Sequence, residues 1–175
     1  ILPFLPMLPV QVLVNNLLFD LSELSIPLDS VDDNSIKKPK KFSVQDIRRT
    51  MIYFGLASSI FDFVTFYVLI KILHADESLF RTVWFVESII SQVLVFFVIR
   101  EKKLSFKTLP PLQVIVNICT IVGIVIILPY SFIGNSIGLV PLSMQMMLVV
   151  WLIVIVYLMS VVSVKKIFFE KHWYL

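Results

Sequence analysis

The sequence predicts an all-α membrane protein, on the evidence of its composition and its apolar stretches. Of its 175 residues, 58% are hydrophobic and 15% are charged, whereas soluble domains carry roughly a quarter charged residues. Five stretches are apolar enough to cross a bilayer, near 5–27, 51–73, 83–99, 111–128 and 139–164. Each can span a hydrocarbon layer of about 30 Å as a helix. The single cysteine excludes a disulfide framework.

The first stretch carries the most informative polar residues. It opens with prolines at positions 3, 6 and 9, so its start is expected to be the end of a preceding span and a tight loop rather than a regular helix. Farther on, Asn16, Asp20 and Glu23 interrupt apolar sequence. On a helix these three fall within about 60° of one another. A carboxylate in hydrocarbon is costly unless a cation or polar group meets it, so this stripe predicts an ion or proton path.

The second and third stretches each contain one acid. Asp62 lies in the middle of the second, with Ser58 and Thr65 on the same helical face. Glu87 lies in the third, with Ser91 one turn farther on. We interpret both acids either as hydrogen-bonded packing groups or as an accessory polar path for protons.

The fourth stretch has neutral polar side chains, and the fifth is the last of the predicted spans. Gln113, Asn117 and Thr120 follow one another at helical spacing. Amide and hydroxyl groups of this kind usually hydrogen-bond neighbouring membrane helices, so we expect helix packing here rather than ion binding.

Basic residues predict the orientation, because cytoplasmic loops are rich in Lys and Arg. The loop at 28–50 holds six, the next holds two, the third holds four, the loop at 129–138 holds none and the tail holds three. This alternation puts the loops at 28–50 and 100–110 and the C-terminus in the cytoplasm, and residue 1 outside.

The loop at 28–50 is the longest polar segment. Its Ser43-Val-Gln-Asp46 run is typical of a capping box that opens a helix. We interpret the loop as solvated and anchored at the headgroups, or alternatively as a docking surface for a cytoplasmic domain. The chain starts at Ile1 without the features of a signal peptide. We therefore expect a piece of a longer protein, with at least one upstream span and a cytoplasmic portion.

Ligand chemistry narrows the predicted ion. Asp20, Glu23, Asp62 and Glu87 lie within the predicted spans, whereas every Lys and Arg lies in a loop, at a span end or in the tail. Either the compensating charge is a mobile cation or proton, or the acids stay protonated and hydrogen-bond neighbouring helices. Carboxylate and amide oxygens suit Mg²⁺, Ca²⁺, Na⁺ or K⁺ and disfavour soft metals. The sequence contains no Gly-rich phosphate-binding loop, no Gly-x-Ser-x-Gly motif of hydrolases and no spacing typical of zinc ligands, and nothing in it favours nucleic-acid binding.

Several motifs together resemble the magnesium-transporting branch of the P-type cation ATPases. They are Pro3-Phe-Leu-Pro-Met-Leu-Pro9, Asn16-Leu-Leu-Phe-Asp20, Ile26-Pro27 with Val31-Asp32-Asp33, Ser58-Ser-Ile-Phe-Asp62 with Thr65-Phe66, and Trp84-Phe-Val-Glu-Ser88 with Ser91-Gln92. The resemblance covers essentially the whole chain, in order. The chain departs from the family pattern after Gly55, where Leu-Ala replaces the usual Pro-Ile, and at Phe96-Phe97, where His and Thr are common.

The resemblance implies that the five spans correspond to helices six to ten of a ten-helix pump. It implies that Asn16 and Asp20 bind the transported ion, Mg²⁺, and leaves Glu23 resting on geometry alone. It also implies a plasma (inner) membrane location, partner helices earlier in the same protein, and ATP and Mg²⁺ bound by cytoplasmic domains outside this chain. Two alternatives remain open: a pump for Ca²⁺ or another hard cation, and a stand-alone membrane module that binds or regulates a partner without ATP.

Overall fold

The computed structural model describes residues 3–25, 27, 44–99 and 110–172, and all regular structure within them is helical. This confirms the predicted all-α class. The helices are α1 Pro9–Glu23, α2 Val44–Tyr67, α3 Glu77–Ile99, α4 Leu112–Ile127, α5 Phe132–Ser136 and α6 Met144–His172. Residues 28–43 of the predicted polar loop, including Ser43 of the predicted capping box, and the basic residues at 100–107 lie outside the described residues, whereas residues 44–50 belong to α2.

Four helical segments within the described ranges are long and apolar enough to cross a membrane, namely 51–72, 77–98, 112–130 and 144–166. The chain is therefore a multi-pass integral membrane protein. The first predicted stretch contains a helix of 15 residues, which is about 22 Å long. Residues 3–8 precede it as bends and irregular chain, as the prolines predicted. A crossing by this first segment stays a prediction.

Two of the helices that begin away from the limits of the predicted stretches have a polar cap at their first turn. α3 begins at Glu77, earlier than the predicted 83, because Asp76 Oδ1 accepts a hydrogen bond of 3.3 Å from the Leu79 amide and so caps the first turn. α6 begins at Met144, later than the predicted 139, with Ser143 Oγ accepting from the Met146 amide at 3.3 Å. In both cases a polar cap, rather than the limit of the apolar run, sets the start of the helix.

The chain reverses between α2 and α3 in a short, tight connection. α2 continues as a π-helical turn, Val68–Ile72, and His74 then adopts a left-handed backbone with φ of 47°. This conformation ends the helix, since a non-glycine residue rarely continues a helix from it.

α3 is the central helix of the bundle. It packs against α1, α4 and α6, whereas α2 packs mainly against α6. Of the four long apolar segments, α3 is the most enclosed, with 56% of its apolar window buried against 17% to 28% for the others. Its buried side chains form much of the core, including Val83, Val86, Ile90 and Val93. The remaining helices surround α3 and expose apolar faces, as a bilayer or further helices require.

Contacts between distant residues define two ends of the bundle. At one, the Arg81 end, Arg81 Nε donates to the Leu5 carbonyl at 2.9 Å and the Phe4 and Phe80 rings meet edge to face at 5.3 Å. At the other, the Lys165 end, the buried Lys165 ammonium donates to the Val98 carbonyl at 2.5 Å. That carbonyl belongs to the last turn of α3, where a cation is favourable.

Candidate functional site

One face of α1 is buried and carries most of its contacts with the bundle. Gln11, Asn15, Leu18 and Ser22 are the buried residues of this helix. Their spacing of four, three and four residues places them on one stripe. Three of the four are polar, so hydrogen bonds as well as apolar packing fix the rotation of α1.

The predicted ion-binding stripe lies on the other side of α1. Asn16, Asp20 and Glu23 are all exposed, and their common direction is rotated by roughly 140° from the buried stripe. The structure thus brings the three together on one face, as the sequence predicted. It does not bring them to Asp62 or Glu87, which lie within the bundle and not on this face.

Two buried amides hold α1 against the rest of the bundle. Asn15 Nδ2 donates to Ser88 Oγ of α3 at 2.8 Å, with both groups buried. Gln11 Nε2 donates to the Ile137 carbonyl at 3.0 Å, while Gln11 Oε1 accepts from the Leu8 amide at 2.9 Å. Because an unmade hydrogen bond is costly in an apolar interior, these bonds oppose rotation of α1 about its axis.

Sequence reasoning missed Asn15 and Gln11. The predicted ligand Asn16 is the immediate neighbour of Asn15, yet the two amides point to opposite surroundings. The sequence contains a signal for them, because Gln11, Asn15 and Ser22 share helical spacing, but this row is uncharged and lies beside the charged stripe. Asn117, predicted to pack helices, does bond α1, whereas Thr120 Oγ1 donates to the Val116 carbonyl of its own helix at 2.7 Å.

Glu23 differs from the other two stripe residues in its surroundings. It borders a pocket of about 190 Å³ between α1, α3 and α4, which also includes Phe19, Gln92 and Phe96. The walls of the pocket are mostly apolar, and its polar lining residues are Ser22, Glu23 and Gln92.

Asp62 and Glu87 belong to a second polar group, between α2, α3 and α6. Glu87 is buried, with 4% of its surface exposed, and Ser91, one turn farther on, donates to the Ser88 carbonyl at 3.0 Å. Asp62 Oδ1 accepts from Trp84 Nε1 at 3.3 Å. Trp84 and Glu87 lie three residues apart on α3, so the indole that binds Asp62 is one helical turn from Glu87. The structure therefore brings the two predicted accessory acids together.

Tyr157 of α6 completes this second group. Its hydroxyl lies 2.8 Å from Ser58 Oγ, and its ring packs edge to face on Phe61 with centroids 5.5 Å apart. Tyr157 stands in an apolar run whose nearest polar residue at helical spacing, Ser160, donates to the Tyr157 carbonyl at 2.7 Å, so nothing in the sequence connects it with Asp62.

Tyr157→Phe should destabilise the protein modestly, by about 0.5–1 kcal/mol, because it removes one interhelical hydrogen bond and keeps the ring contact. Thermal denaturation in detergent measures the effect. Tyr67→Phe is the matched control, since Tyr67 lies on α2 with 62% of its surface exposed and should change nothing. Equal effects in the two variants would contradict a stabilising role for the Ser58–Tyr157 bond.

No group of three or more His, Cys, Asp or Glu side chains that could hold a metal ion occurs within the described ranges. The stripe on α1 offers oxygen ligands from one side only. Two ligands one turn apart, such as Asn16 and Asp20, can face one ion, and oxygen ligands are those that hard cations prefer.

The described residues form a bundle that includes four apolar helices long enough to cross a membrane, and its first helix carries the acids of the predicted stripe. The chain matches the family described as "Cation transporting ATPase, C-terminus" over residues 4–168, and it belongs to that family.

The particular relatives are magnesium transporters. The chain is 42% identical over 151 residues to the "Magnesium-transporting ATPase, P-type 1" of Escherichia coli (strain K12), which covers 81% of this chain and 17% of the relative. It is 36% identical over 180 residues to the protein of the same name from Salmonella typhimurium (strain 14028s / SGSC 2262), which covers 98% of this chain and 20% of the relative. The chain thus spans at most about a fifth of the length of these relatives.

Proposed function

We propose that this chain is the membrane ion-pathway portion of an ATP-driven P-type pump that transports Mg²⁺. Asn16 and Asp20 supply oxygen ligands to the ion, and Glu23 lies on the same path nearer the Lys165 end. The observation that carries the proposal is the exposure of these three side chains on the face of α1 that the bundle leaves uncovered.

The uncovered face supports a site shared with other helices of the same protein. A carboxylate facing lipid is costly, so Asp20 needs polar neighbours outside the described bundle. Exposed apolar side chains accompany it on α1, among them Leu13 and Leu17, with 68% and 55% of their surfaces exposed. A helix packed there would bury this apolar surface and complete the ligand shell. Mg²⁺ also keeps several of its waters, so few protein ligands suffice.

The proposed orientation puts the Lys165 end in the cytoplasm of a cell bounded by a plasma (inner) membrane. The basic loops support it by the positive-inside rule. The contacts at the two ends also agree with it, because Leu5 and Arg81 meet at one end and Val98 and Lys165 at the other. In this orientation the ion passes from Asn16, nearer the outside, toward Glu23, or the reverse.

ATP hydrolysis belongs to cytoplasmic domains outside this chain. The names of the relatives support this division, since they are ATPases of which the chain matches less than a quarter. The chain by itself is therefore expected to be inactive. Asp62 and Glu87 we assign to an enclosed polar group that packs α2, α3 and α6, with an accessory proton path as its possible further use.

The test is transport by the full-length protein reconstituted in liposomes, with an entrapped Mg²⁺-sensitive dye. We expect ATP-dependent Mg²⁺ movement that Ca²⁺ does not replace. Movement of Ca²⁺ or another hard cation in place of Mg²⁺ would support a pump but contradict Mg²⁺ as its transported ion. Absence of ATP-dependent transport, together with no Asp-Lys-Thr-Gly-Thr phosphorylation motif upstream in the same reading frame, would contradict the pump and favour a stand-alone module.

A further inference from the structure

At the Lys165 end of the bundle, the end of α1 is hydrogen-bonded by one side-chain amide from α4. Asn117 Nδ2 lies 3.1 Å from the Leu21 carbonyl, 3.0 Å from the Ser22 carbonyl and 3.0 Å from Ser25 Oγ. An amide nitrogen has two hydrogens, so these three acceptors share them. The two carbonyls belong to the last turn of α1, the turn that also carries Glu23.

The last carbonyls of a helix have no partner within the helix, and α1 has few local means to satisfy them. Its last turn contains no basic residue, and its C-cap, Leu24, has right-handed helical backbone angles, not the left-handed glycine of a common cap. Ser25 Oγ donates to the Ser22 carbonyl at 3.1 Å, which satisfies one of them in part. In an apolar environment an unsatisfied carbonyl costs several kcal/mol, so the cap from α4 has a large effect on this turn.

The same bonds also fix the direction of the ion-binding stripe. Ser22 is buried against α4, and its neighbours in space along α1, Phe19 and Glu23, line the pocket at this end. If the last turn unfolded or rotated, the side chain of Glu23 would change direction. Asp20 lies one turn earlier and would turn with it, because residues of one helix move together.

We propose that Asn117 is a positioning residue for the ion pathway: it caps α1 from α4 at the Lys165 end and thereby keeps Asp20 facing the uncovered side and Glu23 beside the pocket between α1, α3 and α4. This inference rests on the proposed function for its consequence in transport, while the cap itself stands on the hydrogen bonds. Asn117 does not touch the ion.

The test uses the full-length protein with three variants. Asn117→Leu removes the donor and keeps the size of the side chain. Thr120→Val is the matched control on the same helix, since the Thr120 hydroxyl bonds its own backbone. Asn117→Gln retains an amide donor and tests rescue.

Two measurements separate the cap from transport. Hydrogen–deuterium exchange of residues 18–25 reports the cap, and we expect it to be at least about tenfold faster in Asn117→Leu, because exchange rates follow local opening. Mg²⁺-dependent transport reports positioning, and we expect about tenfold weaker apparent Mg²⁺ affinity, the size of effect seen at metal sites when a residue that orients a ligand is changed. The maximal rate should change less than about twofold, since the chemistry of ATP hydrolysis is elsewhere. Thr120→Val should match the parent protein, and Asn117→Gln should restore most of both properties.

Unchanged exchange in Asn117→Leu would overturn the cap. Faster exchange with an unchanged Mg²⁺ affinity would overturn positioning and leave Asn117 as a packing residue alone. Equal losses in Asn117→Leu and Thr120→Val would also overturn it. If the parent protein transported no Mg²⁺, the proposed function would fail together with the role of Asn117 in transport, and the exchange result would still decide the cap.

Discussion

Asp20→Asn should reduce Mg²⁺ transport by the full-length protein by at least about a hundredfold, because changing residues that only hydrogen-bond the ligands already costs about 10–100-fold at metal sites. The substitution keeps the shape and one oxygen of the side chain and removes its negative charge. The negative charge of a carboxylate stabilises a partly dehydrated divalent ion more than the shape of the side chain does. Growth of a Mg²⁺-requiring host at low external Mg²⁺, and uptake by liposomes, would measure the loss.

The control for this experiment is Asp76→Asn. Asp76 is also an exposed carboxylate, it caps α3 through its Oδ1, and Asn caps helices about as well as Asp. Its variant should transport normally. Both proteins should reach the membrane in equal amounts, as the Asp20 side chain makes no contact that holds the described bundle together. Normal Mg²⁺ uptake by the Asp20→Asn protein would contradict a role for Asp20 in the ion pathway.

The long helices and the common direction of the stripe on α1 could be predicted because both depend on local sequence. A run of apolar residues is sufficient to predict a membrane helix, and helical spacing is sufficient to place Asn16, Asp20 and Glu23 on one face. Hydropathy failed at helix starts, where Asp76 and Ser143 decide the first turn through single hydrogen bonds. Asp76 lies in polar sequence before its apolar run, and Ser143 lies inside the predicted apolar stretch 139–164, where a single serine changes the mean hydropathy little.

The buried anchors of α1 could not be predicted, because they depend on which distant residue lies opposite. Asn15 and Asn16 are adjacent and chemically the same, and only the position of Ser88 on α3 gives Asn15 a partner. Likewise Asn117 satisfied the expectation of a packing residue, but its acceptors are main-chain carbonyls of α1. Backbone carbonyls are the same in every sequence, so a pattern of side chains cannot reveal them.

These anchors connect packing with function in a particular way. Gln11, Asn15 and Asn117 hold the two ends and the middle of α1 on the side turned away from the predicted ligands. A helix held so firmly on one side presents its other side in a fixed direction. In the proposed site, the geometry of Asn16 and Asp20 would then be set by residues that do not contact the ion, as expected for a preorganised site.

The anchor at the Arg81 end depends on a tight turn around Gly134, and there a second large effect is expected. The Ile137 carbonyl that binds Gln11 follows α5 closely, and the Gly134 carbonyl accepts from the Leu139 amide at 2.9 Å. A Cβ atom on Gly134 would lie 1.9 Å from the Leu128 carbonyl oxygen and 3.2 Å from the Pro129 Cα. These are backbone atoms, so the turn itself would have to move.

Gly134→Ala should therefore destabilise the membrane domain by about 2–3 kcal/mol, the upper part of the range for an overpacked site. The temperature at which the detergent-purified full-length protein loses its monodisperse elution would fall accordingly. Gly123→Ala is the matched control, because a Cβ there meets nothing within 4 Å, and in a helix interior alanine is favoured over glycine by about 1 kcal/mol. That variant should be as stable as the parent or slightly more so. A Gly134→Ala protein as stable as Gly123→Ala would show that the turn can yield at little cost, and the close approach of Gly134 to Leu128 would then be no reason for glycine at this position.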